Sequence, residues 1–172
     1  MDCISGGIRL AQDYKTTNFT RLTSDSVGAV GQSRSVTDSL RWKAPTQDWI
    51  KLNCDASWEK NNGHCSIGMV GRGAQGRFEG ARYQLMQQVA SSLVAEAMAF
   101  REGMSFAKEN KWNRVVIESN SKVLVQALRG EVPIPVEIDV LVWDVLQWRK
   151  NMDAKFQFIR RSGNNAAHLV VH

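Results

Sequence analysis

The sequence predicts an α/β (α+β) domain in which helices pack on a five-stranded mixed sheet, with the order βββ-α-β-α-α-β-α. Three short apolar runs joined by tight turns open the domain, which is the pattern of an antiparallel meander. A long amphipathic helix follows. A β-branched run and further helices come next, and a strand–helix–strand order calls for a parallel neighbour. Together these three observations predict the mixed sheet.

The meander consists of strands predicted at about residues 49–57, 64–71 and 77–85. Its first turn is Asn61-Asn62-Gly63, because Asn and Gly tolerate a positive φ. The following helix is predicted to reach about Asn110, where Ser91 and Ser92 can cap the start and apolar residues recur at helical spacing.

The second half of the chain predicts strands at 114–119 and 154–158 and helices at 121–129, 136–150 and 165–172. The final helix is expected to be truncated. In the helix of residues 136–150 we interpret Trp143 and Trp148 as packing residues, because Trp is typically well buried.

Composition indicates one intracellular domain. A chain of 172 residues with 43% hydrophobic and 23% charged residues is ordinary for a globular protein. No window approaches the ~20 apolar residues of a membrane span, and no signal peptide is evident. The three cysteines, Cys3, Cys54 and Cys65, form no metal-ligand spacing, and their odd number argues against a disulfide framework. We therefore expect a reducing compartment, nuclear or cytoplasmic.

The first part of the chain differs from the rest. Residues 1–40 are polar and show no period, so we predict a disordered or loosely attached leader ahead of a domain at residues 41–172. The net charge of +5 and the pI near 9.3 mildly favour an anionic partner such as nucleic acid.

Two acids stand out against this pattern. Alternation in the first strand places Ile50, Leu52 and Cys54 on one face, expected to be the only buried one, and Asp55 on the other at the strand's exit. Asp55 could instead open a turn. Glu96 lies at the edge of the apolar stripe of the first helix, although a Glu there could also extend to water.

A resemblance joins these residues. The matching segments are Trp42–Pro45, Ile50–Ser57, Ala95–Ala99, Val116–Ser121 and Arg161–Leu169. Over residues 42–172 the chain resembles a type 1 ribonuclease H domain of the plant reverse-transcriptase-like family, which derives from retroelements (retrotransposons). The resemblance implies a ribonuclease H-like fold. It also implies an endonuclease that hydrolyses the RNA strand of an RNA–DNA hybrid with two divalent ions, Mg²⁺ or Mn²⁺.

The resemblance assigns a catalytic site to Asp55, Glu96, Asn120 and His168, with Asp55, Glu96 and Asn120 as metal ligands. Asp55 and Glu96 match the first two acids of the family. Asn120 stands where the family usually has Asp, and it could simply cap the next helix. His168 stands at the fourth acid, as in many plant relatives, and could be structural or solvent-facing. Two carboxylates in place of four would weaken ion binding and impair catalysis.

Nucleic-acid contacts are expected from Arg160, Arg161, Asn164, Asn61 and Asn62, as part of a monomer that needs no membrane and no small-molecule cofactor. One hypothesis is an active hybrid ribonuclease. The alternative is a catalytically dead module of retroelement origin that binds nucleic acid or protein, which Asn120 favours. A decayed retroelement fragment without a selected function is a third interpretation.

Overall fold

The computed structural model describes residues 42–172; the predicted leader lies outside the described residues. The strands are β1 Ile50–Trp58, β2 Cys65–Arg72, β3 Phe78–Met86, β4 Arg114–Ser119 and β5 Asp153–Phe158. The α-helices of the described part are α1 Ser92–Glu109, α2 Lys122–Leu128, α3 Asp139–Arg149 and α4 Asn165–Val171. Short 3-10 turns lie at Ala74–Gly76, Val136–Ile138 and Arg161–Gly163. This order confirms the predicted βββ-α-β-α-α-β-α fold.

The five strands form one mixed sheet in the order β3-β2-β1-β4-β5. The meander strands pair antiparallel, while β1 pairs parallel with β4 and β4 pairs parallel with β5. The connection through α1 carries the chain from the edge strand β3 to β4, which lies beside the middle strand β1. The parallel pairs β1–β4 and β4–β5 give the mixed sheet that the strand–helix–strand order predicted.

Both faces of β1 are buried, so the expectation of a single buried face is wrong. Leu52 and Cys54 face the core beneath α1. On the other face, Lys51, Asn53 and Asp55 are also buried. The cause is α4, which covers the second face. It lies so close to Gly68, the partner of Asp55 in β2, that a Cβ there would come within 2.8 Å of two valine side chains of α4. Long-range packing of α4 therefore buries the polar residues of β1.

The helix α1 packs just as closely on the opposite face. Ser91 caps it as predicted, since its hydroxyl accepts a hydrogen bond from the Val94 amide at 3.1 Å. Its buried side includes Phe100 and Met104 and carries Gly103 at the point of contact with β1. A Cβ at Gly103 would lie 2.6 Å from Cys54 Sγ. The missing side chain allows α1 to approach β1 and bring Glu96 near its carboxyl end.

The two tryptophans of α3 have different environments. Trp148 is half-buried beneath the charged groups of Arg101 and Lys108, which lie 5.2 and 4.8 Å from its ring. Trp143 is 61% exposed, so its interpretation as a packing residue is wrong. The reason is that the buried stripe of α3 runs along Val142 and Val145. Among the described residues, no helix combines the length and hydrophobicity needed to cross a membrane.

Gly103→Ala is expected to destabilise the protein by about 1–3 kcal/mol, because the added methyl group overpacks the contact with Cys54. This sign is opposite to the gain of about 1 kcal/mol that Ala brings to an unconstrained helical position. Urea unfolding followed by circular dichroism measures the change.

The combination with Cys54→Ala is the control for this prediction. If the clash with Cys54 Sγ causes the loss, Gly103→Ala costs less in the Cys54→Ala background than in the parent. Strictly additive losses would contradict the proposed contact.

Candidate active site

The central strands bring two candidate residues to one edge of the sheet. Asn53 of β1 is level with Glu118 of the parallel strand β4. Asp55 and Asn120 each lie two residues further along. Asn120 directly follows β4, and Asp55 lies within β1 just beyond the part that pairs with β4. Since parallel strands end at the same edge, this register aligns the two residues.

His168 contacts Asp55 from α4. Its Nδ1 lies 3.0 Å from Asp55 Oδ2, and the Asp55 side chain is only 3% exposed whereas that of His168 is 29% exposed. An ionised carboxylate only accepts hydrogen bonds, so this contact requires a proton on His168 Nδ1. His168 is therefore neither remote from the acid nor wholly solvent-facing. It forms a hydrogen bond with Asp55 Oδ2 and so fixes the orientation of that carboxylate.

Glu96 lies across from this pair on α1. Burial raises the pKa of Glu96 to about 8, and the nearby charge of Asp55 adds to the effect. Two groups oppose this rise: the Ser119 hydroxyl, 3.5 Å from Glu96 Oε2, and the positive charge of Arg161. The ionised form of Glu96 is therefore unfavourable here unless a cation lies nearby. A Glu that extended into water would not need such a cation.

Asn120 presents an acceptor that lacks a partner. Its Oδ1 is buried and makes no hydrogen bond within residues 42–172. The alternative that Asn120 caps the next helix is wrong, because Ser121 occupies that position and its amide donates to Ser119 Oγ at 3.0 Å. A buried oxygen without a donor is costly, so this one suits a ligand, such as a metal ion or a water.

A buried ion pair that sequence reasoning missed lies behind these residues. Lys51 Nζ is 3.0 Å from Glu118 Oε1 and also donates to the Lys43 carbonyl at 2.9 Å. Asn53 Nδ2 donates to the other carboxylate oxygen of Glu118 at 2.9 Å. Both oxygens of Glu118 are thereby occupied. This acid is part of the framework and is not available as a ligand.

The same network holds α4 on the sheet. Asn164 Oδ1 accepts a second hydrogen bond from Asn53 Nδ2 at 3.1 Å, and Asn164 Nδ2 donates to the Cys54 carbonyl at 2.8 Å. Arg72 Nη2 donates to Asn53 Oδ1 at 2.7 Å, while its guanidinium lies 3.6 Å from the ring centre of Trp42. The buried amides of Asn53 and Asn164 are therefore paired, and they fix the position from which His168 reaches Asp55.

The residues expected to contact nucleic acid fall into two groups. Arg160, Arg161, Asn61 and Asn62 are exposed, and Asn62 also stabilises its turn by accepting from the His64 amide. Asn164, by contrast, is fully buried, and its amide is committed to the network. Its structural role is to hold α4, and direct contact between its side chain and a substrate would require α4 to detach.

The donor set limits what metal this site can bind. Within residues 42–172, no group of three or more His, Cys, Asp and Glu side chains is arranged to hold a metal ion. Asn120 is outside that count and adds an amide oxygen to the carboxylates of Asp55 and Glu96. Such a set of oxygen donors fits one hard divalent cation that keeps part of its water shell.

Comparison with known proteins identifies the family. Residues 53–172 match the family described as reverse transcriptase-like. The chain belongs to this family. The match confirms the resemblance inferred from the sequence motifs. An Arabidopsis thaliana protein named for ribonuclease H is 34% identical over 90 residues, which cover 52% of this chain and 14% of that protein. The chain therefore matches only a small part of this longer relative.

Solved structures support the fold of this reverse transcriptase-like chain. Ribonuclease H1 of the archaeon Halobacterium salinarum aligns with a TM-score of 0.67 and 14% identity, over 72% of this chain and 94% of that one. LC11 ribonuclease H1, solved in complex with an RNA/DNA hybrid, aligns with a TM-score of 0.65 and 18% identity, over 71% and 93%. The ribonuclease H-like fold is thereby confirmed.

Glu96→Gln is expected to stabilise the metal-free protein above pH 4.5. Unfolded Glu96 ionises near pH 4.5, whereas the folded carboxyl keeps its proton to about pH 8. The folded state therefore binds more protons in this window, and the parent loses stability as the pH rises through it. The advantage of Glu96→Gln should grow from pH 4.5 to 8 and then level off, at up to a few kcal/mol because one pKa unit corresponds to about 1.4 kcal/mol. Urea unfolding in EDTA at pH 4.5, 6 and 8 measures it.

Glu109→Gln is the control with the opposite sign. Arg82 lowers the pKa of the exposed Glu109, so its ionised form favours folding. That variant should be slightly less stable than the parent above pH 4.5, and the difference should vanish in acid. If the stability advantage of Glu96→Gln did not depend on pH, the raised pKa of Glu96 would be contradicted.

Asn164→Ala should lower the free energy of unfolding by about 2–4 kcal/mol, because the Cys54 carbonyl and the Asn53 amide both lose a buried partner. The neighbouring Asn165 is exposed, and Asn165→Ala should change stability by no more than about 0.5 kcal/mol. Chemical denaturation of the two variants compares them directly. Equal losses would show that the amide network does not hold α4.

Proposed function

We propose that this chain is a metal-dependent ribonuclease that hydrolyses the RNA strand of RNA–DNA hybrids, with activity reduced by its ligand set. The supporting observation is the unpartnered, buried Asn120 Oδ1, at the same sheet edge as Asp55 and near the ionisable Glu96. An oxygen atom without a protein donor, at the same edge as two carboxylates, suits a divalent cation.

Asp55, Glu96 and Asn120 would hold the ion. Bound there, a divalent ion neutralises phosphate charge and makes a coordinated water a better nucleophile. Glu96 enters this role by losing its proton, since the pKa of about 8 keeps the metal-free carboxyl largely neutral at pH 7. Ion binding should therefore release a proton and strengthen as the pH rises towards 8.

His168 distinguishes this site from a four-acid site. Its Nδ1 holds Asp55 Oδ2, the oxygen atom nearest to the fourth position of the family's site. A second ion would have to displace that hydrogen bond and accept an imidazole in place of a carboxylate. We therefore propose that a single ion binds firmly, and that Mn²⁺, which accepts imidazole more readily than Mg²⁺, supports the higher activity.

The hybrid would lie across the edge that carries Asp55. Arg161 is exposed and close enough to affect the charge of Glu96, so it and Arg160 are the proposed phosphate contacts. Asn61 and Asn62, in the turn beyond the same end of β1, are proposed to approach the 2′-hydroxyl groups that distinguish RNA from DNA. The free thiols of Cys54 and Cys65 are compatible with a reducing, intracellular compartment, which we include in the proposal.

One observation favours a second candidate, a module that binds nucleic acid without cutting it. The hydrogen bond from His168 occupies an oxygen of Asp55, and a neutral Asn120 leaves the site with only two carboxylates. Such a module would keep the exposed Arg160 and Arg161 and lose the hydrolytic step. Its affinity for a hybrid would fall steeply with salt.

Cleavage of a labelled RNA–DNA hybrid in Mg²⁺ and in Mn²⁺ tests the proposal. We expect slow cleavage, faster in Mn²⁺, that Asp55→Asn lowers on the order of 100-fold or more because it removes a charged ligand while keeping the shape of the side chain. Asp48→Asn is the matched control, since Asp48 lies at the opposite end of β1, and it should leave the rate unchanged.

Asn120→Asp separates the two candidate functions. Under the ribonuclease proposal this variant is more active than the parent, because a third carboxylate strengthens ion binding. No cleavage by the parent, together with salt-dependent binding and cleavage by Asn120→Asp, would replace the proposal with the binding module. Failure of a folded Asn120→Asp variant to cleave would overturn the site assignment itself.

A further inference from the structure

The helix α3 is apolar on two sides. Its inner side carries Val142 and Val145, which are buried in the core. Its outer side carries Val140, 68% exposed, and Trp143, 61% exposed. An amphipathic surface helix normally presents polar residues outward. The outer side of α3 does not follow this rule.

The apolar strip extends beyond the start of the helix. Val136, 85% exposed, lies in the 3-10 turn four residues before Val140, and Ile134, 41% exposed, lies in the loop ahead of it. The spacing of Val136, Val140 and Trp143 is that of one side of a helix. We call these four exposed apolar residues the α3 strip.

The surroundings of the α3 strip are acidic. Residues 130–148 contain Glu131, Glu137, Asp139 and Asp144 and no Lys, Arg or His, although the whole chain carries a net charge of +5. Asp144 pairs with Arg101, with 2.6 Å between Oδ2 and Nε, and Glu131 pairs with Arg129 just before this range, with 3.4 Å between Oε1 and Nη1. Glu137 and Asp139 are exposed. Negative charge around the strip repels phosphate, so this face does not suit nucleic acid.

We propose that the α3 strip docks an amphipathic helix of a partner protein, with an apolar side flanked by Lys and Arg. An apolar helix side matches the strip, and positive flanks complement Glu137 and Asp139. Trp143 is the central anchor, since exposed aromatic side chains contribute strongly when a partner buries them. This surface is independent of the ribonuclease site, and the inference does not rest on the proposed function.

A defined synthetic helix serves as the probe. An 18-residue peptide of Leu and Lys, with Leu at positions three and four apart so that one side is apolar, is labelled with fluorescein and titrated with the full chain. Fluorescence anisotropy should show saturable binding that weakens about tenfold or more in Trp143→Ser and in Val140→Ser. It should also weaken at high salt, because the acidic rim contributes.

Leu85→Ser is the matched control. Leu85 is 71% exposed on the edge strand β3, so its replacement removes exposed apolar surface without touching the α3 strip. Binding of the peptide should be unchanged in this variant. Because all three replaced side chains are exposed, urea unfolding should show near-parental stability, which separates lost binding from lost structure.

Three outcomes would overturn the proposal. One is unchanged binding in Trp143→Ser and Val140→Ser. Another is absent binding, or equal binding of a scrambled peptide of the same composition and of one with Glu in place of Lys. The third is a dimer in sedimentation velocity that Trp143→Ser abolishes, which would make a second copy the occupant; we expect a monomer.

Discussion

The buried amide of Asn164 joins the two halves of the candidate site. It accepts from Asn53 and donates to the Cys54 carbonyl, so it attaches α4 to the central strand at two points. Without it, the polar side of β1 would be buried beneath α4 with unpaired groups, which is unfavourable. The position of His168, and therefore the environment of Asp55, follows from this attachment. Asn164 therefore determines the geometry of His168 and Asp55 from a buried position outside the candidate site.

Charge is distributed over this edge in two separate arrangements. Lys51 and Asn53 satisfy Glu118 inside the sheet, so that acid is neutralised by the protein itself. Asp55 is contacted by His168. Glu96 forms no ion pair within residues 42–172, and its proton substitutes for one. Evolution of a binding site often leaves such strain, because groups arranged for a ligand are poorly satisfied in its absence. The contrast explains why one buried acid stabilises the fold while its neighbour opposes it.

Sequence reasoning succeeded where the signal is local. The meander, the capped helix α1 and the mixed character of the sheet all follow from periodicity, turn residues and element order. Asp55 was predicted at the exit of the first strand, but it lies inside β1, which continues to Trp58. The Lys51–Glu118 pair could not be predicted, because it depends on the register between β1 and β4. In that register Asn53 is level with Glu118, which lies 65 residues later in the sequence. The burial of Asn164 and the exposure of Trp143 depend on where α4 and α3 dock, which residue type alone does not reveal.

The contact between Gly68 and α4 limits how this protein can vary. Any other residue at position 68 would place a Cβ within 2.8 Å of the Val170 and Val171 side chains, so the packing of α4 on β2 would have to shift. Because α4 carries His168, a change in a strand residue without chemistry of its own would alter the site from a distance. Relatives that differ at this position should therefore also differ in the side chains of α4 that face it. Position 68 and the facing positions of α4 are therefore expected to covary among relatives, because the helix and the strand pack so closely there.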